Sequence, residues 1–246
     1  MPPARKKPEP KPRILAVDVG GSHVKVLKSD GGERRRFPSG PDLTPDQMVQ
    51  GVLGLTKDWE YDVVSVGVPT QVRGGRVVHD PVNLGKGWAG FDFEKAFGKP
   101  TKLVNDAAMQ ALGSYEGGRM LFLGFGTGLG AAMIVDGVLE PMELAHMPFR
   151  KVTYEDVVGE RGLEKVGKKQ WRKEVAEVVE EFTNALEPDY VVLGGGNAKL
   201  LKELPPNARL GANENAFLGG FRLWTPGFKA LPGAPGTPGT QAQPVT

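Results

Sequence analysis

The sequence predicts an α/β fold of two similar lobes facing each other across a cleft, and three observations carry that expectation. A glycine-rich hairpin occurs twice in the chain, at residues 15–31 and 121–137. Short β-branched runs alternate with stretches of helical periodicity, the pattern of layered α/β domains. Three apolar strands run straight into glycine turns, at Gly20-Gly21, Gly126 to Gly128 and Gly194 to Gly196.

The elements follow in order. Residues 1–12, MPPARKKPEPKP, mix proline with Lys and Arg and carry no apolar periodicity, so they read as a flexible basic tail that solubilises the chain. LAVDVGGSHVKVLKSDG then gives a strand, a small-residue turn, a second strand and an Asp-Gly turn. In TPDQMVQGVLGL, Thr44 is the N-cap of a helix, Pro45 takes its first position and Gln47 closes a capping box. DVVSVGV, residues 62–68, is a buried strand. Lys102 to Val104 form a short strand that meets Asn105-Asp106, and AAMQALGSYE continues as a helix.

LFLGFGTGLGAAMIVDG aligns to the first hairpin without gaps, matching Leu15, Gly20, Asp30 and Gly31 to Leu121, Gly126, Asp136 and Gly137. MELAHM is read as a helical turn. Trp171, Val175, Val178, Val179, Phe182 and Leu186 line one face of a helix ending at Glu187-Pro188. YVVLGGGN is a strand entering a glycine loop, and AFLGGFRLW a short helix that packs back on the body. Two lobes, 13–104 and 105–228, are expected between the basic tail and a flexible Pro/Gly tail at 229–246.

Composition narrows the function classes. A net charge of +2 gives no reason to expect a nucleic-acid partner, and the absence of cysteine removes disulfides and thiolate metal sites. No apolar run reaches the roughly 18 residues of a membrane span, and the N-terminus lacks the apolar core of a signal peptide. A cytoplasmic protein without a membrane partner is expected.

Glycine turns after strands expose consecutive N–H groups and can cradle phosphate oxygens. None of the three fits GxGxxG opening a helix, and no GxxxxGK[ST] is present. Asp18, just before the first glycine pair, is either a turn cap or an indirect, water-mediated Mg2+ ligand. Lys25 either reaches back to a phosphate or, the favoured reading, is an outward-facing strand lysine. Asp106 stands at the carboxyl end of a strand, where α/β sites collect; either Asn105 or Asp106 caps the helix, or Asp106 accepts a proton in phosphoryl transfer while Asn105 orients the acceptor. Glu143 and His146, three apart, are a surface turn, part of a metal site, or hydrogen-bonding partners of a polyol. Arg150, Lys151, Lys165, Lys168, Lys169, Arg172 and Lys173 form a basic run, equally a polyanion track or a solvated face.

Taken in order, VDVGGSHVK, VNDAA, GFGTGLG, ELAH and VVLGGGN resemble the ROK family (repressors, open reading frames, kinases), and most of all its polyphosphate/ATP glucokinase branch. The likeness runs over about residues 13–224. It implies the two-lobed actin-like ATPase fold, made of duplicated ribonuclease H-like halves. It implies a hexokinase-type phosphotransferase acting on the 6-hydroxyl of a hexose, glucose above all, with ATP or inorganic polyphosphate as donor. Asp106 matches the general base. Asp18, Gly20, Gly21 and Ser22 match a first phosphate motif, with Asp18 serving Mg2+, and Gly126, Thr127 and Gly128 a second. Asn83, Asn105, Glu143, His146 and Glu155 match sugar-binding positions. Gly195, Gly196 and Asn197 match an adenosine motif. A homodimer is implied by analogy.

The departures are specific. With no cysteine, the zinc site of many relatives is not expected here. ExGH reads ELAH, and a loop resembling GxPG reads GVPT at residues 67–70, both on the sugar side. Only the proline-rich tail precedes Ile14, so no DNA-binding segment is expected. Two further readings stay open: a strictly polyphosphate-dependent glucokinase, and a non-catalytic sugar sensor.

Overall fold

All six residues of β1 (Ile14–Val19) are buried, as in a strand covered on both faces. β1 pairs antiparallel with β2 (His23–Lys28), which pairs antiparallel with β3 (Arg35–Pro38). On its other side β1 pairs parallel with β4 (Val63–Val68). The sheet order β3-β2-β1-β4-β7 ends on a further parallel strand, β7 (Thr101–Asn105). α1 (Pro45–Leu55) links β3 to β4 and starts with the predicted capping box: Gln47 N–H donates to Thr44 Oγ1, and Thr44 N–H to Gln47 Oε1. A ribbon of β5 (Val72–Arg73) and β6 (Arg76–Val77) and the short helix α2 (Phe93–Phe97) fill the connection from β4 to β7. The computed structural model describes residues 11–212, 214–226 and 229–230. Most of the two tails expected from the sequence, 1–12 and 229–246, lies outside these residues.

α3 (Asp106–Ser114) leads to a second sheet built on the same plan. β8 (Arg119–Phe125), β9 (Leu129–Val135) and β10 (Val138–Met142) are successively antiparallel. A small ribbon follows, β11 (Pro148–Phe149) with β12 (Val152–Thr153), and then the helices α4 (Tyr154–Val158) and α5 (Glu160–Leu186). β13 (Tyr190–Gly194) lies parallel to β8, and β14 (Ala208–Leu210) parallel to β13. The run β10-β9-β8-β13-β14 therefore repeats the order and senses of β3-β2-β1-β4-β7. That is the duplication the two hairpins predict. β15 (Lys229–Ala230) adds a short parallel strand beyond β10, just past the boundary expected at residue 228.

The gapless match between the hairpins holds for the outgoing strands and slips by one residue on return. The first hairpin closes from Val19 to Val24, the second from Phe125 to Leu129. Lys25 opposite Asp18 thus corresponds to Gly130 opposite Gly124, not to Ala131. Loop length sets hairpin register, and a one-residue slip would invert every facing.

Trp171, Val175, Val178, Val179 and Phe182 are buried against Phe125, Leu123 and Val191, as their spacing predicts. A large side chain of this kind contributes about 1.5–3 kcal/mol on full burial. Another cluster joins α3 to the opposite face of the second sheet through Ala108, Met109, Leu112, Phe122 and Ile134. The final helix, α6 (Asn215–Arg222), packs on α3 and crosses to β1 and β4. A Cβ at Gly219 would fall 1.7 Å from the Met109 carbonyl oxygen, so only glycine permits that approach. The crossing is fixed by fully buried Ser65, whose hydroxyl donates to Gly220 O at 2.6 Å and accepts from Trp224 Nε1 at 2.9 Å.

Candidate active site

The carboxyl ends of β1, β4 and β7 bring Asp18, Gly67 and Val104 side by side, with Asn105 opposite Val68 one step further. α3 begins at that edge and is wedged between the two sheets. A Cβ at Gly67 would lie 3.5 Å from the Asp106 Cα, and one at Gly130 would lie 2.6 Å from the Ala107 Cβ. Two glycines, one from each lobe, thus admit the first turn of α3 and set Asp106 at the junction of the lobes.

Asn105 is the N-cap of α3. Its Oδ1 accepts from the N–H groups of Ala107 and Ala108 at 2.9 and 3.3 Å, and its Nδ2 donates to Thr70 O at 3.3 Å. The cap therefore falls to Asn105, which leaves the Asp106 carboxyl with one local bond, from Ala107 N–H at 2.8 Å. Asp106 is half-buried. Burial first, then the negative charge of Asp18 and the weaker influence of Glu143, push its carboxyl up to about 7, against the Ala107 hydrogen bond. That sits in the range of a working general base.

Asp18 is buried near the end of β1 and has one ion-pair partner, Lys25 Nζ at 3.0 Å. The sequence reading of Lys25 as an outward-facing lysine is thereby corrected. A hairpin closing over residues 20–23 places position 25 directly across from 18, so the signal was present in the loop length. The glycine turn is held by Gly20 N–H donating to His23 O and by the Ser39 hydroxyl donating to Gly20 O at 2.6 Å. Gly21 and Ser22 are exposed. Asn83 stands beside this turn, its Cβ 3.8 Å from where a Gly21 side chain would begin. Its loop is closed by Asp80, whose Oδ1 accepts three N–H groups, from Gly87, Trp88 and Ala89. Those bonds hold the Asp80 carboxyl below its ordinary range. Trp88, fully buried, anchors the far end. Neither Asp80 nor Ser39 was singled out from the sequence; both act through backbone groups distant in the chain.

In the second hairpin the turn at 126–128 is tied from three sides. Asn197 Nδ2 donates to Gly126 O at 3.3 Å, Asn197 N–H to Phe125 O at 2.9 Å, and Glu160 N–H to Thr127 O at 3.2 Å. The GGGN loop and the GTG turn thus form one surface. A Cβ on Gly126 would meet nothing within 4 Å, so its backbone faces open space. Gly128 instead makes room for the Glu155 carboxylate, whose Oε2 accepts from Leu129 N–H at 3.3 Å. Glu155 N–H donates to Ala145 O at 3.0 Å, which ties the ELAH segment to the GTG turn.

MELAHM is not helical. Met142 ends β10 and residues 144–147 form a turn closed by Met147 N–H to Leu144 O. Proximity to the strand end, with Leu144 and Ala145 buried, overrides the helical spacing. Glu143 and His146 are both exposed. The Glu143 charge is felt at Asp106, that of His146 at Asp156 on α4. No group of three or more His, Asp or Glu among the described residues could hold a metal ion. A cation here would need water and phosphate oxygens beside Asp18, a donor set that suits Mg2+.

No family model matches the chain. Polyphosphate glucokinase of Mycobacterium tuberculosis (strain H37Rv) is 28% identical over 208 residues, covering 74% of this chain and 77% of that protein. Its counterpart in Mycobacterium leprae is 25% identical over 206 residues, 75% of this chain and 63% of that one. Among solved structures, the inorganic polyphosphate/ATP-glucomannokinase of Arthrobacter sp. strain KM superposes with a TM-score of 0.75 at 22% identity, covering 86% of this chain and 98% of that one. ROK hexokinase from Thermus thermophilus gives 0.66 at 18%, covering 85% and 96%. The fold is the two-lobed actin-like one, and over 74% of its length the chain is similar in sequence to polyphosphate glucokinase.

Proposed function

We propose that this chain is a sugar kinase that transfers a phosphoryl group from ATP or inorganic polyphosphate to the 6-hydroxyl of a hexose, glucose in the first instance. The observation that carries the reading is Asp106, a carboxyl raised to about 7 at the junction of two lobes that each present a glycine turn. Phosphoryl transfer asks the protein to position donor and acceptor, offset charge and take one proton. Asp106 is the group that takes the proton from the sugar hydroxyl. Asn105, fixed by its capping bonds, keeps the α3 start and hence Asp106 in register.

Asn83, Glu143, His146 and Glu155 are the residues we assign to the sugar side. Gly20, Gly21 and Ser22 with Gly126, Thr127 and Gly128 offer N–H groups and hydroxyls to phosphate oxygens. Gly195, Gly196 and Asn197 complete the donor surface. Asp18 would hold Mg2+ through water, and the ion would supply positive charge against the donor phosphates.

The test is phosphorylation of glucose and other hexoses with each donor, wild type beside Asp106→Ala. Loss of a general base lowers the rate about 10^2- to 10^4-fold. Failure of every sugar with both donors, or full activity in Asp106→Ala, would overturn the assignment.

A further inference from the structure

Past its break at Gly167, α5 carries its charges in the order that a helix disfavours. Lys168, Lys169, Arg172 and Lys173 stand near the start of its long segment, while Glu177, Glu180, Glu181 and Glu187 stand toward or just past its end. A helix dipole favours acidic residues first and basic residues last, and the last turn of α5 holds no base. The pairs Lys168/Arg172 and Lys169/Lys173 also sit at i, i+4, where like charges repel. Folding alone gives no reason for this concentration of cations.

Nor are the lysines neutralised. Three of the acids on α5 are engaged elsewhere: Arg150 bonds Glu174 at 2.9 Å and Glu177 at 2.6 Å, and the Tyr154 hydroxyl donates to Glu181 at 2.8 Å. Among the described residues, Lys165, Lys168, Lys169, Lys173, Lys199 and Lys202 have no carboxylate within 4.0 Å, and all six are exposed.

Their position gives them a use. α5 starts at the GTG turn, where Glu160 N–H donates to Thr127 O. Gly167, with φ 72°, breaks the helix there, a conformation in which glycine is at ease, and the cations follow. Arg172 Nε donates to Leu200 O at 2.7 Å, which draws in the segment with Lys199 and Lys202. That segment continues from the GGGN loop, itself bound to Gly126 through Asn197. Beyond that break, at about 1.5 Å per residue, the helix from Lys168 to Lys173 advances roughly 7.5 Å.

We propose that this basic edge binds the distal phosphates of a linear inorganic polyphosphate whose terminal phosphate lies at the 126–128 turn. The proposal rests on the donor reading above and deepens it. A nucleoside triphosphate carries its charge on three adjacent phosphates and has no group to set against cations further along α5. A long polyphosphate carries charge on every unit.

The experiment compares wild type, a variant with Lys165, Lys168, Lys169 and Lys173 all changed to Gln, and one with the same four changed to Arg. Glucose phosphorylation is followed with ATP, tripolyphosphate and long-chain polyphosphate at several salt concentrations, and long-chain polyphosphate binding is measured separately without sugar. In the Gln variant the KM for the long chain should rise at least tenfold and lose most of its salt dependence. The ATP and glucose constants should stay within about twofold, and the Arg variant should behave like wild type. An unchanged KM for the long chain, or an equal loss with ATP, overturns the proposal. So does wild-type protein that binds no long chain while phosphorylating glucose from ATP, which leaves the kinase assignment standing. Failure with both donors refutes that assignment, and the separate binding measurement then decides this one.

Discussion

At matched positions of the two hairpins stand an ion pair and a pair of glycines. Asp18 faces Lys25 at 3.0 Å in the first, and Gly124 faces Gly130 in the second. On the parallel side the match continues, Asp18 beside Gly67 and Gly124 beside Gly194. One scaffold thus serves two purposes. The first hairpin supplies charge at the end of its strand; the second supplies bare backbone and room, with α3 packed against Gly130 and open space at Gly126.

The largest effect should come from removing the charge. We expect Asp18→Asn to lower kcat/KM on the order of 10^2- to 10^3-fold with either donor, the scale of losing one electrostatic group from a site. It should also move the acid limb of activity to lower pH. The Asp18 charge is the second cause, after burial, of the raised Asp106 carboxyl, so without it Asp106 loses its proton more readily. An acid limb that stays near pH 7 would show that the first hairpin does not tune the base.

Asp106 also leaves a mark on stability. Its carboxyl titrates near 7 when folded against 3.8 as a reference, so the folded state holds the proton more tightly. Stability then falls as pH rises from about 4 to about 7, by on the order of 2–4 kcal/mol. Asp106→Asn should therefore be more stable than wild type at pH 8, with the gap closing toward pH 4. Thermal unfolding at both pH values measures it, and equal gaps would contradict the burial argument.

Two glycine substitutions separate the roles within the second hairpin. A Cβ at Gly130 would come within 2.6 Å of the Ala107 Cβ, so Gly130→Ala pushes on the start of α3 and should cost about 1–3 kcal/mol, with kcat falling as Asp106 shifts. Gly126→Ala meets nothing within 4 Å and should leave stability within about 0.5 kcal/mol while raising the KM for donor. Denaturant midpoints and donor KM together decide; the reverse pattern would exchange the two roles.

Much of this comparison was legible in the sequence because it rests on local signals. The Asp-Gly turns, the Thr44-Gln47 capping box and the stripe from Trp171 to Phe182 each depend on residues within a turn or two, and each appears where its spacing puts it. What escaped depends on register or on distant chain. The slip between hairpins comes from loops of unequal length, which a gapless match hides, and with it went the pairing of Lys25. The ELAH segment has helical spacing but only a turn's worth of chain between β10 and β11. Asn105 and Asp106 were equivalent as caps on paper. The bond from Asn105 to Thr70 and the glycine gaps on either side of α3 separate them, and both arise only when strands distant in the chain come together.

The smallest effect tests the ion pair itself. Lys25 is about one-third exposed, with a side-chain accessibility of 35% against 10% for Asp18, so solvent screens much of the attraction. Lys25→Gln should cost about 1 kcal/mol, most of it from leaving Asp18 inside the hairpin without its cation. Adding Asp18→Asn removes that penalty and makes the first hairpin neutral at these two positions, as the second already is. The double variant should therefore recover close to wild-type stability while keeping the activity loss of Asp18→Asn, a coupling of about 1 kcal/mol in the double-mutant cycle. Additive losses would mean that the two side chains merely lie near each other. Recovered stability without recovered activity would assign the charge in the first hairpin to chemistry and not to the fold, since the second hairpin folds on glycine alone at the same two sites.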